Sequence, residues 1–249
     1  DSTSTSMAGD EAITEAPDGL VDDDVLIACR DRTRPQEPSE RAGDEGDETG
    51  FDIDLLRAVA RDAGLDLDVR DLPFEDITTP LAAGDCDVVA STVTINDERT
   101  QEVDCTEPYV DVDQSLLVRT EDAESYATLV GLKGQRIGVR SGTTGQTYAE
   151  EHVPQYAVVV SFGQAAELFA ALASGEVAAL LQDRAINAVR ATQDDGVVLT
   201  ETFTTGEQRC FAVTKGRSAL LDFLNGGLAT LKEDGRFDEI YATYFGDAG

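Results

Sequence analysis

The sequence has little positive charge. It contains 19 lysine and arginine residues against 50 aspartate and glutamate residues, and its formal net charge is -31. A chain of this charge repels phosphate backbones and anionic membrane surfaces, which excludes nucleic acid and charged membranes as partners. Lysine occurs only at Lys133, Lys215 and Lys232. An acidic, lysine-poor surface is typical of proteins that work at high salt, where ions screen the repulsion between like charges. The alternative is an ordinary soluble protein encoded by a GC-rich genome.

Metal ligands and membrane-spanning segments are also scarce. His152 is the only histidine and none of the four cysteines forms a C-x-x-C pair, so we expect no metal site and no cofactor. No apolar run approaches the ~20 residues that a transmembrane helix needs. No secretory signal is present, so the signal of an exported protein is either removed or outside this sequence.

The even number of cysteines fits an oxidising compartment and allows three disulfide pairings. Cys86 precedes a strand that starts at Val88, and Cys105 follows the helix expected after that strand. An ascending strand and a descending helix would bring these two cysteines together, leaving Cys29 and Cys210 for a second pair. Four buried free thiols are the alternative.

From Val25 onward, short apolar runs alternate with segments whose apolar residues recur every three to four positions. Phe51–Ala63 is typical of such a helix and stops at a glycine. This alternation predicts an α/β fold with mostly parallel strand pairing. Val197–Leu199 and Cys210–Val213 are predicted as two separate strands. Asp1–Asp24 is rich in small and polar residues, and we expect it to be a disordered tether.

The stretch Val88–Arg99 begins as a buried strand and ends in a polar turn. Asn96 can cap a helix that opens at the next residue, which places Arg99 in the first turn. The helix dipole disfavours a cation there, so the arginine needs an anionic partner. Its planar guanidinium fits a small carboxylate, and the alternative is an ordinary corner with a solvated arginine. Hydroxyls and backbone N–H groups are available nearby on Ser91, Thr92 and Thr94.

Polar residues also follow two later strands. Thr143 and Thr144 lie in a glycine-flanked turn that opens a helix, where free backbone amides can bind a carboxylate. Asp183 follows another apolar strand, with the N-cap of the next helix as its alternative role. Ligands of open α/β sheets bind beyond the carboxyl ends of the strands. We therefore expect these residues and Ser91 to converge on one cleft.

Together with this corner, six further segments resemble the polar amino-acid-binding family among the extracellular solute-binding proteins of ABC importers. The resemblance runs from about Val25 to Gly246. It implies a type II, two-lobed periplasmic-binding-protein fold, in which each lobe is a mostly parallel sheet flanked by helices and a two-strand hinge joins the lobes. Residues 25–117 with 209–249 would form lobe 1, and residues 118–208 lobe 2. The segments are Gly50–Ala60, Pro73–Asp87, Val103–Tyr109, Leu132–Gly145, Gly175–Asp183 and Leu231–Gly246.

The resemblance also implies roles for individual residues. The family pattern S/T-x-S/T-I-T-x-x-R matches here with Asn96 in place of a threonine, so Arg99 would bind the ligand's α-carboxylate. Thr94 and the backbone amides near Ser91 would assist it. Asp183, in L-L-Q-D, matches the carboxylate that binds the α-ammonium group.

Four other positions bear on the ligand's side chain. Phe74 matches the aromatic residue that covers the ligand, with a core aromatic as the alternative. Asp31 matches an acidic residue of the family, whereas Arg34 replaces its usual aromatic residue. Arg140 stands where glutamine-binding relatives carry a lysine. Two arginines favour glutamate, aspartate or glutamine as ligand, unless Arg34 and Arg140 pair with local carboxylates such as Asp31.

The resemblance therefore implies a monomeric binding protein that captures an amino acid by lobe closure and delivers it to an ABC permease. Such a protein is extracellular or periplasmic, and a residue preceding this chain would carry its lipid anchor. The alternatives are an enzyme on the same fold, such as a cyclohexadienyl dehydratase with Asp183 or Glu207 as its acid, and a sensor ectodomain.

Overall fold

A computed structural model describes residues 15–31, 49–71 and 79–245. Residues 1–14 of the expected tether, and the candidate residues Arg34 and Phe74, lie outside this range. The strands are β1 Val25–Arg30, β2 Asp66–Asp71, β3 Val88–Thr94, β4 Val103–Cys105, β5 Val110–Arg119, β6 Arg136–Arg140, β7 Val158–Phe162, β8 Ala179–Asp183 and β9 Val197–Thr214. The helices are α1 Phe51–Asp62, α2 Thr79–Ala83, α3 Arg99–Glu102, α4 Thr144–His152, α5 Ala165–Ser174, α6 Arg184–Gln193, α7 Ser218–Glu233 and α8 Arg236–Phe245.

The strands of the described residues form one sheet in the order β2-β1-β3-β9-β5-β8-β6-β7, and β4 pairs with β9 beside this path. The outer strands pair in parallel, β1 with β2 and β3, and β6 with β7 and β8. The pairs that involve β5 or β9 are antiparallel. The sheet thus has a first half (β2, β1, β3) and a second half (β8, β6, β7), with β5 and β9 running between them. The predicted α/β class is confirmed.

The long strand β9 differs from the prediction of two separate strands. It runs without interruption for 18 residues, and its middle alternates between partly buried and exposed positions. The middle is rich in threonine, which favours strands but gives no apolar signal. Its pairing with β5, from Val110 opposite Arg209 to Arg119 opposite Val197, makes one ribbon that links the two halves.

Hydrophobic residues of the two halves pack into separate clusters on both faces of the sheet. Two clusters draw on residues 20–110 and 210–245. The other two draw on residues 116–203. In the first group, α7 packs so closely on α1 at Gly227 that a Cβ atom there would lie 2.5 Å from Val59 Cγ1.

We expect Gly227→Ala to lower the free energy of unfolding by about 1–3 kcal/mol, because the added methyl group overpacks the α1–α7 contact. Thermal melting measures this effect. Val59→Ala makes room for the methyl group, so the double variant should lose less stability than the sum of the two single variants. A Gly227→Ala protein that melts like wild type would contradict the tight contact.

The structure corrects the predicted disulfide between Cys86 and Cys105. Disulfides join Cys29 to Cys86 and Cys105 to Cys210, with Cα–Cα distances of 5.9 and 5.5 Å. Cys105 ends β4, which pairs with β9 opposite Ala212, so it faces β9 rather than the start of β3. Cys86 precedes β3, whose parallel neighbour β1 carries Cys29. The alternative of free thiols is also wrong.

Candidate functional site

The corner after β3 positions Arg99 as the sequence predicts. The side chain of Asn96 accepts a hydrogen bond from the backbone N–H of Arg99 at 2.9 Å, which caps the turn. Helix α3 is shorter than expected and begins at Arg99 itself. The guanidinium donates to Thr94 O at 2.8 Å and to Gly142 O at 3.1 Å. Because Gly142 follows β6, Arg99 reaches from the first half of the sheet to the second.

The turn after β6 uses its two threonines differently. The hydroxyl of Thr143 accepts from the backbone N–H of Gln146 at 3.2 Å and donates to Arg140 O at 2.8 Å, so it caps α4. The hydroxyl of Thr144 donates to Glu207 Oε2 at 2.8 Å. The turn therefore connects Arg99 on one side with a carboxylate of β9 on the other.

A second contact between the halves joins the ends of β1 and β6. Arg140 Nη2 donates to Asp31 Oδ2 at 3.2 Å, and both side chains are buried. The backbone N–H of Asp31 donates to Ser91 Oγ at 3.0 Å, which ties this pair to β3. The alternative for Arg140, pairing with a local carboxylate, is the arrangement present in the structure.

Asp183 ends β8, as expected, but its side chain makes no capping hydrogen bond to α6. Its two oxygens accept instead from the side chains of two neighbouring strands. Gln114 Nε2 of β5 donates to Oδ1 at 3.0 Å, and Arg209 Nη2 of β9 donates to Oδ2 at 3.0 Å. The residue is 4% exposed, so its carboxylate is buried within the cluster.

Thr92 differs from the other hydroxyl residues of the corner. Its φ is 51°, in the left-handed region that a β-branched residue rarely adopts. Its backbone N–H donates at 2.7 Å to Asp52 Oδ2, and Tyr109 donates its hydroxyl to Oδ1 of the same carboxylate at 2.8 Å. The buried Asp52, near the start of α1, thus fixes the shape of the corner.

Sequence reasoning missed two residues of this cluster and did not place a third. Gln114 and Arg209 carry no motif, and Glu207 entered only as a possible enzymatic acid. Gln114 Nε2 donates to Glu207 Oε2 at 3.0 Å as well as to Asp183, so it bridges the two carboxylates. Their positions follow from the register of β5 against β8 and β9, which the composition of the strands does not reveal.

The charges of the cluster influence one another. Burial lowers the pKa of Arg99, while Asp183, Glu207 and Glu98 oppose this effect. Burial raises the pKa of Glu207, and the nearby Asp183 raises it further. Hydrogen bonds from Thr144 and Gln114, and the charge of Arg99, act in the opposite direction. The cluster therefore combines a cation of the first half with two carboxylates on the opposite side.

A cavity of about 440 Å³ lies elsewhere, between β5, α6 and the end of α8. Of the cluster, only Arg209 lines it. Within the described ranges, no group of three or more histidine, cysteine, aspartate or glutamate side chains could hold a metal ion. None of the described helices is long and apolar enough to cross a membrane.

Residues 30–247 match the family model of the bacterial extracellular solute-binding proteins, family 3. The glutamine-binding protein GlnH of a Bacillus subtilis ABC transporter is 36% identical over 201 residues, which cover 79% of this chain and 72% of that protein. The ABC transporter arginine-binding protein 1 of Escherichia coli is 30% identical, over 84% of this chain and 86% of that protein.

Solved structures agree with the sequence comparison. An ancestral arginine-binding protein bound to glutamine has a TM-score of 0.81 and 33% identity, over 90% of this chain and 99% of that one. An ancestral amino acid-binding protein, a precursor of cyclohexadienyl dehydratase, has a TM-score of 0.80 and 31% identity, over 89% of this chain and 95% of that one. The chain belongs to family 3 of the bacterial extracellular solute-binding proteins.

Proposed function

We propose that this protein captures a polar L-amino acid between its two lobes and delivers it to the permease of an ABC importer. The observation that carries the proposal is the position of Arg99 and Asp183. They come from opposite halves of the sheet, yet one set of hydrogen bonds links them. Arg99 donates to a backbone carbonyl of the turn after β6, and Thr144 of the same turn donates to Glu207. Gln114 donates to both Glu207 and Asp183. A cation and a carboxylate from opposite halves of one cluster match the two charges of an α-amino acid.

Arg99 binds the α-carboxylate, assisted by Thr94 and the corner around Ser91, and Asp183 binds the α-ammonium group. Each lobe supplies one charge, so a zwitterion gains its full set of contacts only when the lobes close. Its differential affinity for the closed form then drives the hinge motion. The permease binds the closed form.

The lobe limits are residues 25–117 with 209–249 for lobe 1, and residues 118–208 for lobe 2. Support comes from the hydrophobic clusters, which divide the chain between residues 110 and 116 and between residues 203 and 210. Strands β5 and β9 then form the hinge. The protein is exported, acts as a monomer and is tethered by its N-terminal residues to a lipid anchor that precedes them. The predicted tether limit at residue 24 is wrong, because Leu20 packs in the first hydrophobic cluster and the backbone N–H of Val21 donates to Asp87 Oδ1 at 2.9 Å.

The ligand's side chain is polar and uncharged, with L-glutamine ahead of glutamate and aspartate. The pair formed by Arg140 and Asp31 joins a cation and an anion at 3.2 Å, so its net charge is zero. A buried ligand charge beside a neutral pair would lack a counter-ion, whereas an amide can donate to Asp31 and accept from Arg140.

Calorimetric titration with the twenty L-amino acids tests this function. We expect glutamine to bind with a Kd at or below about 10 μM, which corresponds to about 7 kcal/mol. Basic and large apolar amino acids should bind at least about a hundredfold more weakly. A protein that binds none of the twenty would overturn the function, and tightest binding of a basic amino acid would overturn the assignment of the side chain.

Asp31→Asn should raise the ratio of glutamate to glutamine affinity at least about tenfold. The substitution leaves the buried cation of Arg140 without its carboxylate, and an acidic ligand then supplies the missing charge. Asp71→Asn is the matched control, because Asp71 ends the neighbouring strand β2 with a side chain that is 43% exposed. An unchanged ratio in Asp31→Asn would contradict a role of the Asp31–Arg140 pair in selectivity.

A dehydratase on the same fold is the second candidate function. Glu207 has a raised pKa within the cluster, which suits a general acid, and one similar structure is a precursor of cyclohexadienyl dehydratase. Incubation of the purified protein with prephenate and arogenate tests this candidate. Product that depends on Glu207 would replace the binding function, whereas tight amino-acid binding without turnover supports it.

A further inference from the structure

Asp183 alone does not provide a negative charge for a ligand's ammonium group. Its carboxylate lies 3.0 Å from the guanidinium of Arg209, and the two side chains are 5% and 2% exposed. A buried ion pair at this distance is neutral as a unit. If Asp183 and Arg209 were the only charges of the subsite, an ammonium group would enter it without a net counter-charge.

Glu207 supplies the missing charge. It lies two residues before Arg209 on β9, and Gln114 Nε2 donates at 3.0 Å to both Glu207 Oε2 and Asp183 Oδ1. One shared donor therefore holds the two carboxylates side by side. Among the described residues of the subsite, Asp183, Glu207 and Arg209 together carry a net charge of -1, and the proposed function assigns Arg99 to the ligand's carboxylate. This charge matches one ammonium group.

The second oxygen of Glu207 is available as an acceptor. Thr144 and Gln114 both donate to Oε2, and Oε1 accepts no hydrogen bond from any described residue. The side chain is half-buried, so Thr144 and Gln114 fix its position while Oε1 is not sealed in the core. A carboxylate held in this way can accept from a charged N–H donor without reorganising.

We propose that Glu207 is a second carboxylate of the ammonium subsite and determines the preference for ligands that carry an α-ammonium group. The proposal rests on the proposed function and adds a residue to it. Asp183, neutralised by Arg209, orients the ammonium group through hydrogen bonding, and Glu207 provides the net charge.

Binding should then depend on pH through Glu207. Burial and Asp183 raise its pKa, against the opposing effects of Thr144, Gln114 and Arg99. An ammonium group binds the ionised carboxylate, so affinity is complete above this raised pKa and falls as the pH falls through it. Glu207→Gln removes the titrating group. The part of the decrease in affinity at low pH that is due to Glu207 should therefore disappear in this variant.

The test compares three amino acids with the same molecules lacking the ammonium group. The pairs are L-glutamine with glutaramic acid, L-glutamate with glutaric acid, and L-aspartate with succinic acid. We expect Glu207→Gln to weaken amino-acid binding at least about tenfold, as for a lost charged hydrogen bond. It should change binding of the deaminated analogues less than threefold, so discrimination within each pair falls. Glu207→Asp keeps the charge and should retain most of the discrimination.

Glu201→Gln is the matched control, because Glu201 lies on the same strand but accepts from the backbone of Leu129, outside the cluster. Melting curves of each variant confirm that it is folded. If wild type binds amino acids and Glu207→Gln discriminates within each pair as well as wild type, the assignment of Glu207 is wrong and the binding function stands. If wild type binds none of the twenty L-amino acids, both the function and this assignment fail.

Discussion

We expect replacement of Arg99 by alanine to abolish amino-acid binding at accessible ligand concentrations. The guanidinium donates to Thr94 O and Gly142 O, and it is the cation that the proposed function assigns to the α-carboxylate. Loss of a charged, two-point contact with a carboxylate costs about 3–5 kcal/mol, which weakens affinity at least about a hundredfold. Calorimetry with L-glutamine measures this loss. Arg99→Lys keeps the positive charge but lacks the planar guanidinium that binds both carboxylate oxygens. Its affinity for glutamine should therefore lie between those of wild type and Arg99→Ala.

The same substitution should leave the stability of the ligand-free protein nearly unchanged. Burial already lowers the pKa of Arg99, so its charge is held at a cost that alanine removes. Arg190→Ala is the control, because Arg190 pairs with Asp194 at the surface of α6, away from the cluster. An Arg99→Ala protein that is folded and binds glutamine like wild type would refute the carboxylate assignment.

Local chemistry was sufficient to predict the corner that holds Arg99. Its apolar strand, the capping residue Asn96 and the arginine three residues later are all determined within one short stretch, and the structure has them in that arrangement. Asp183 was found for the same reason, since a polar residue at the end of an apolar strand lies at the carboxyl edge of the sheet. Their roles toward a ligand stay proposals.

The rest of the cluster depends on register, which the sequence does not reveal. Gln114 contacts Asp183 and Glu207 only because β5 pairs with β8 on one side and with β9 on the other. The disulfides were mispredicted for a related reason. Strand β4 has only three residues and overlaps the helix expected there, so its pairing with β9, which brings Cys105 to Cys210, was not predicted. The partner of Arg140 lies 109 residues away in sequence, so Asp31 could be named as an alternative only because the resemblance aligns both residues with ligand-binding positions of the family.

Asp183→Asn should impair both binding and stability, unlike the change at Arg99. It removes the carboxylate that pairs at 3.0 Å with Arg209, whose side chain is 2% exposed, and the loss of one partner of a buried ion pair costs about 3–5 kcal/mol. The ammonium subsite then carries no net charge, because Glu207 and Arg209 cancel, so glutamine affinity should fall at least about a hundredfold. Melting curves and calorimetry measure the two effects separately.

The double variant Asp183→Asn/Arg209→Met distinguishes the two causes. Methionine removes the cation that has lost the Asp183 carboxylate and fills much of its volume, so most of the lost stability should return. Glu207 then gives the subsite a net charge of -1 again, so affinity should recover in part but stay below wild type, because the hydrogen bonds of Asp183 are missing. An Asp183→Asn protein that melts like wild type would refute the pairing with Arg209. A double variant with no gain in affinity over Asp183→Asn would show that direct contact with Asp183, rather than net charge, controls the subsite.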